Sequence, residues 1–133
     1  MFRWVIKEQL AAGPRPRMKK KTTSPVSQQT VDAWLKKAKM SFGIRSIICL
    51  LDQRQMRLYE GLRMDLVSYY RASGFQAKHI PVRNYKHPAL SDRELKKVWK
   101  AYKRLEEPVL IHCSAGIGRT GKAVAYIRRQ SRL

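Results

Sequence analysis

The sequence reads as an α/β protein: a three-layer sandwich in a minimal version, with a central, mainly parallel sheet flanked by helices. Three observations predict it. Residues 44–51 and 108–111 are short, almost wholly apolar runs, which suit strands covered on both faces. Stretches with helical apolar spacing stand between such runs. Strands that alternate with helices pair in parallel, because each helix carries the chain back to the edge where the last strand began.

The elements follow in order. A short strand is expected near Trp4 to Ile6. Prolines 14, 16 and 25 and the run Lys19-Lys20-Lys21 then forbid regular structure, so residues 13–25 read as a loop. A helix is expected over 28–40, with Val31, Trp34, Leu35 and Ala38 on one face and Gly43 ending it. The strand over 44–51 comes next. Residues 56–72 read as a helix through Tyr59, Leu62, Leu66 and Tyr69, with Gly74 as C-cap, and 75–82 as a strand. Ser91-Asp92-Arg93-Glu94 is a capping box for a helix carrying Leu95, Val98, Trp99, Tyr102 and Leu105. After the strand over 108–111 comes a loop, then a last helix through Ala123, Val124 and Ile127. In parallel sheets, sites form beyond the carboxyl ends of the strands, and Cys113 falls at such a position.

Length and composition set bounds. At 133 residues the chain fits one domain, 1–133, able to bury a core without disulfide staples. Two cysteines are too few for a secreted disulfide framework, and Cys49, in an apolar run, reads as a small core hydrophobe. Charge interrupts the amino terminus too early for a signal peptide, and no apolar stretch approaches the ~18 residues of a membrane span. A cytoplasmic location is expected. The 29 Lys plus Arg against 9 Asp plus Glu give a net charge of +20, which attracts polyanions without selecting among them.

Residues 112–121, His-Cys-Ser-Ala-Gly-Ile-Gly-Arg-Thr-Gly, carry the chemistry. Five residues between Cys113 and Arg119 let the backbone wrap once, so that successive N–H groups meet at one centre. The loop then feeds a helix amino terminus, which favours anions. Gly116 and Gly118 permit the dihedrals and close approach of the wrap. Phosphate or another oxyanion held by residues 114–119 would sit above the sulfur, gripped in bidentate fashion by Arg119. The same surroundings favour a Cys113 thiolate, and Thr120 can donate a hydroxyl hydrogen bond to it. His112 is placed to orient the loop.

This segment resembles the signature His-Cys-x-x-Gly-x-x-Arg-Thr of the protein tyrosine phosphatase superfamily at every defined position. Residues 10–16, 43–52, 69–75 and 79–83 extend the resemblance to small prokaryotic dual-specificity-like phosphatases; 10–16 looks like their amino-terminal loop. The resemblance implies that Cys113 attacks, that Ser114, Ala115, Gly116, Ile117, Gly118 and Arg119 bind phosphate, and that no metal or other cofactor is needed. Members usually continue with further helices beyond the point where this sequence stops, Leu133.

The pattern breaks at one position. The family places a general-acid Asp after the strand ending Ile-Pro, and Asn84 occupies that slot. An amide cannot protonate a leaving oxygen, and general acid catalysis is worth ~100- to 10,000-fold. Asp52 is the first candidate substitute, although capping of the following helix explains it better. Asp92, in a capping box, and His87 are weaker candidates.

The expected function is hydrolysis of phosphotyrosine in proteins or peptides, with phosphoserine and phosphothreonine as further substrates. One alternative is a phosphatase of RNA 5′ ends or phosphoinositides, which the charge favours. Another is a phosphotyrosine-binding module with little turnover, which Asn84 favours. Cys49 could protect Cys113 by a disulfide, provided the two Cα atoms lie within ~7 Å.

Overall fold

The computed structural model describes residues 1–17 and 24–132. Its strands are β1 (Arg3–Ile6), β2 (Leu10–Gly13), β3 (Ser46–Cys49), β4 (Gln76–His79) and β5 (Val109–His112). Its helices are α1 (Gln28–Phe42), α2 (Gln53–Met56), α3 (Leu66–Ala72), α4 (Asp92–Arg104) and α5 (Gly118–Gln130). A 3-10 helix over Arg57–Leu62 follows α2. The Lys19-Lys20-Lys21 run lies outside the described residues.

The five strands form one sheet in the order β1-β2-β5-β3-β4. β1 is antiparallel to β2, and all other pairs are parallel. Alternation along the strands divides the core into two layers. Leu110, Ile47 and Cys49 face Val31, Trp34 and Leu35 of α1 and Leu66, Val67 and Tyr70 of α3. Val109, Ile111, Ile48 and Leu50 face Leu95 and Val98 of α4 and Ala123, Val124 and Ile127 of α5. The expected three-layer sandwich is therefore present. Among the described residues, no helix is long and apolar enough to cross a membrane.

Cap chemistry sets several boundaries as expected. Gly43 takes the left-handed conformation at φ 61° and returns its amide to Ala38 and Lys39. Ser91 and Glu94 close the reciprocal box that starts α4.

Three expectations need correction. Residues 10–13 are a fully buried strand, where a loop was expected. Leu-Ala-Ala-Gly has no β-branched residue to announce a strand; β2 exists because β1 and β5 pair with it on both sides. The helix expected over 56–72 is broken. Arg63 turns left-handed at φ 62°, and Asp65 then caps α3 by accepting the Ser68 amide at 2.9 Å. Tyr59, Leu62 and Leu66 keep helical spacing across the break because all three face the same core. The strand expected over 75–82 pairs with β3 only over Gln76–His79.

Candidate active site

β5 ends at His112, and the chain turns through Cys113 to Ile117 before entering α5 at Gly118. The residue before α5, Ile117, offers no side-chain cap, so the first amides of the helix are left for another acceptor. Among the described residues, the amides of Ser114, Ala115, Ile117 and Gly118 donate to no protein backbone oxygen. That is the arrangement an anion site requires.

Cys113 is buried, and burial alone would raise its pKa. The hydroxyl and amide of Thr120, the charge of Arg119 and the amide of Gly116 outweigh it and lower the thiol below the ordinary 9.0. The Thr120 hydroxyl is itself fully buried and has no nitrogen or oxygen partner among the described residues. Its neighbour is this sulfur, and a thiolate is a far better acceptor than a thiol.

Arg119 is 4% exposed. Its Nη1 donates to the carbonyls of Leu50 at 3.2 Å and Val82 at 2.9 Å and to Gln55 Oε1 at 2.9 Å. All three acceptors are neutral. Among the described residues no carboxylate pairs with this guanidinium, since the ion pairs present are Arg45–Glu106 and Lys86–Glu94. A buried cation held by dipoles alone is costly unless an anion joins it. The Cys113 sulfur supplies part of that charge.

The loop is backed from β2. Gly116 stands at φ 78°, and a Cβ there would lie 2.4 Å from the carbonyl carbon of Gly13, so glycine is required twice over. The Arg15 amide donates to Ser114 O at 3.0 Å, and Arg3 Nη1 donates to Gly116 O at 2.9 Å. The backing segment is pinned in turn. Trp34 Nε1 donates to Pro14 O at 3.0 Å, and the Tyr59 hydroxyl, which receives Arg15 Nη1 at 3.0 Å, donates to Pro16 O at 2.6 Å.

His112 lies fully buried beneath, its Nε2 2.9 Å from the Tyr70 hydroxyl and its Nδ1 3.2 Å from Cys113 O. Burial pushes its pKa down to about 3, so the ring is neutral, protonated on Nδ1 and accepting from Tyr70.

The other predicted residues are distributed unevenly. Asn84 and Asp52 come together: the Asn84 amide donates to Asp52 Oδ2 at 3.2 Å. Asp52 Oδ1 accepts the Gln55 amide at 2.9 Å and so caps α2. Both carboxylate oxygens therefore hold backbone. Asp92 is exposed in the first turn of α4, and His87 is exposed; among the described residues neither bonds to the Cys113 loop. Cys49 belongs to the layer opposite that of Cys113, and burial pushes its thiol up to about 12. Its thiol packs on the α1 and α3 side of the sheet, yet lies near enough to Arg119 and Cys113 to interact with both electrostatically.

Gln55, Tyr70, Arg15 and Arg3 were missed. Asp52-x-x-Gln55 is a readable capping box, but nothing in it announces that the same oxygen also holds Arg119.

The model of one family, described as the Swiss Army Knife protein DSP-PTPase phosphatase domain, matches residues 1–128. The chain belongs to this family. It is a cysteine-dependent phosphatase domain of the dual-specificity type. Two solved structures share the DSP-PTPase fold. The core catalytic domain of the PP-IP phosphatase SIW14 from S. cerevisiae, in complex with citrate, superposes with a TM-score of 0.67 at 18% identity, over 99% of this chain and 67% of that one. A DUF442 protein from Shewanella putrefaciens CN-32 gives 0.65 at 16% identity, over 93% of this chain and 68% of that one. No curated protein matches the sequence.

Proposed function

We propose that the chain hydrolyses phosphate monoesters through a phospho-cysteine on Cys113, with phosphotyrosine in proteins as the preferred substrate. The observation that carries this is the buried Arg119, fixed by three neutral oxygens and balanced by no carboxylate, beside a cysteine whose pKa is lowered. The Arg119 donors other than Nη1, with the amides of Ser114, Ala115, Ile117 and Gly118, grip the equatorial phosphate oxygens. The Cys113 thiolate attacks phosphorus in line; the S–P bond forms as the bond to the leaving oxygen breaks. Water then attacks the thiophosphate, releasing phosphate and restoring the thiolate. His112, neutral and tied to Cys113 O, orients the loop and transfers no proton.

Asn84 decides the preference. With no acid in that slot, the leaving oxygen departs with its electron pair and takes its proton from solvent. Phenol, with a pKa of ~10, tolerates this far better than an alkoxide. Asp52 serves as the tie that keeps Asn84 and α2 at the site, since both of its oxygens accept amides.

A second reading has specific support. The net charge of +20 and the likeness to a PP-IP phosphatase favour a densely phosphorylated substrate, a phosphoinositide or an RNA end included. A phosphoanhydride would suit Asn84 equally, because its leaving phosphate has a second pKa of only ~6.

Turnover of a phosphotyrosyl peptide, a phosphoseryl peptide and an inositol pyrophosphate tests both. We expect the phosphotyrosyl peptide to be cleaved and the phosphoseryl peptide to lag. Asn84→Asp should raise phosphoserine turnover ~100-fold, with activity now falling as pH rises through the new carboxyl's pKa. Cys113→Ser should abolish turnover while keeping oxyanion binding. Preference for the pyrophosphate would establish the second reading, and turnover at background on all three would leave a phosphate-binding module.

A further inference from the structure

We propose that the groove between β1 and α5 is a binding site for single-stranded nucleic acid, held by its phosphates. The groove encloses about 650 Å³. Arg3, Arg128, Arg129 and Arg132 line it over a floor that includes Val5 and Val124, and none of its described lining residues is acidic. None of the four arginines takes part in an ion pair among the described residues.

Four guanidinium groups around one groove repel one another. The negative end of α5 accounts for Arg128 and Arg129 in its last turn. It does not account for Arg3, which stands on a strand. Arg3 lies opposite Ala12, and Gly13 lies opposite His112, so Arg3 is at the sheet edge where Cys113 sits. There its Nη1 holds Gly116 O at 2.9 Å. α5 starts beside it at Gly118 and carries Arg128 away by ~15 Å, at ~1.5 Å per residue.

The cations thus form a line that begins at the Cys113 loop and runs the length of a helix. One phosphate cannot touch both ends, whereas a chain of phosphodiesters can. Guanidinium suits phosphate through its paired donors. Tyr126 is partly buried beside this groove, and the Arg129 guanidinium stands 5.9 Å from its ring centre. Aromatic and guanidinium planes side by side offer faces on which bases stack. The proposal does not depend on the Cys113 chemistry.

The test is fluorescence anisotropy of a labelled oligouridylate of about twelve nucleotides without a terminal phosphate. At ~0.1 M salt, Arg128→Gln/Arg132→Gln should weaken binding ~25-fold and flatten the log–log salt slope by ~1.4, the loss of two contacts at ~0.7 each. Arg3→Gln, at the other end, should weaken it ~5-fold by the same arithmetic, so the result does not hang on one variant's folding. Lys97→Gln/Lys100→Gln removes equal charge from α4 and should change little. Equal losses from the α4 and α5 pairs would overturn the proposal in favour of diffuse attraction. Polyglutamate or phosphatidylserine vesicles competing as well as the oligonucleotide would overturn it too, pointing to an acidic protein or a membrane surface.

Discussion

Thr120 shows how one buried hydroxyl can set a reactivity. It has no oxygen or nitrogen partner among the described residues, so its donor is satisfied best when the sulfur beside it is ionised. Thr120→Val keeps the shape and removes that donor. The Cys113 pKa should rise, and the midpoint of iodoacetamide alkylation against pH should move upward; an unmoved midpoint would assign the lowering to Arg119 and the amides alone. Asn84 is legible as a departure from its neighbours in kind, because an amide stands where a proton donor is expected. The partner of its backbone, Asp52 Oδ2, was not legible, since thirty-two residues separate them.

At the scale of elements, the site depends on two couplings. Gln55 of α2 accepts from Arg119 of α5 and from the Asp52 amide, at 2.9 and 3.4 Å. Gln55→Leu should free the guanidinium to wander. We expect about a tenfold loss in kcat/KM for an aryl phosphate, the cost of one hydrogen bond to a charged group. Restoring the acceptor with Gln55→Glu should recover geometry but weaken oxyanion binding, because a carboxylate competes for the same cation. The second coupling is the contact of Gly116 with the end of β2. Gly116→Ala forces backbone apart at 2.4 Å, and vanadate affinity should fall together with thermal stability. Loss of one without the other would separate loop geometry from fold.

For the whole molecule, His112 links stability to pH. Its pKa falls from 6.5 to about 3 on folding, burial being the cause, so below pH 6.5 the unfolded chain binds a proton that the folded chain refuses. The neutral ring's contribution is full above pH 6.5 and is lost progressively as pH falls toward 3, with a ceiling of ~5 kcal/mol. Urea midpoints measured from pH 7 to pH 4 should therefore fall, and His112→Gln should flatten that slope. The charge of +20 acts in the same direction, since self-repulsion grows as carboxylates protonate, and added salt should relieve that part alone.

The amino-acid order alone determined the alternation of apolar strands and amphipathic helices, the Gly43 and Ser91 caps, and the Cys113 loop, because each depends on neighbours a few residues apart. Tertiary structure decided what lies between distant segments. β2 is a strand because of its partners on both sides, and the break at Arg63 is hidden by a shared core. Arg119 is held by residues 50, 55 and 82, whose carbonyls converge only once β3, α2 and the segment after β4 meet at one sheet edge. Such convergence is a matter of chain return, which local spacing cannot encode.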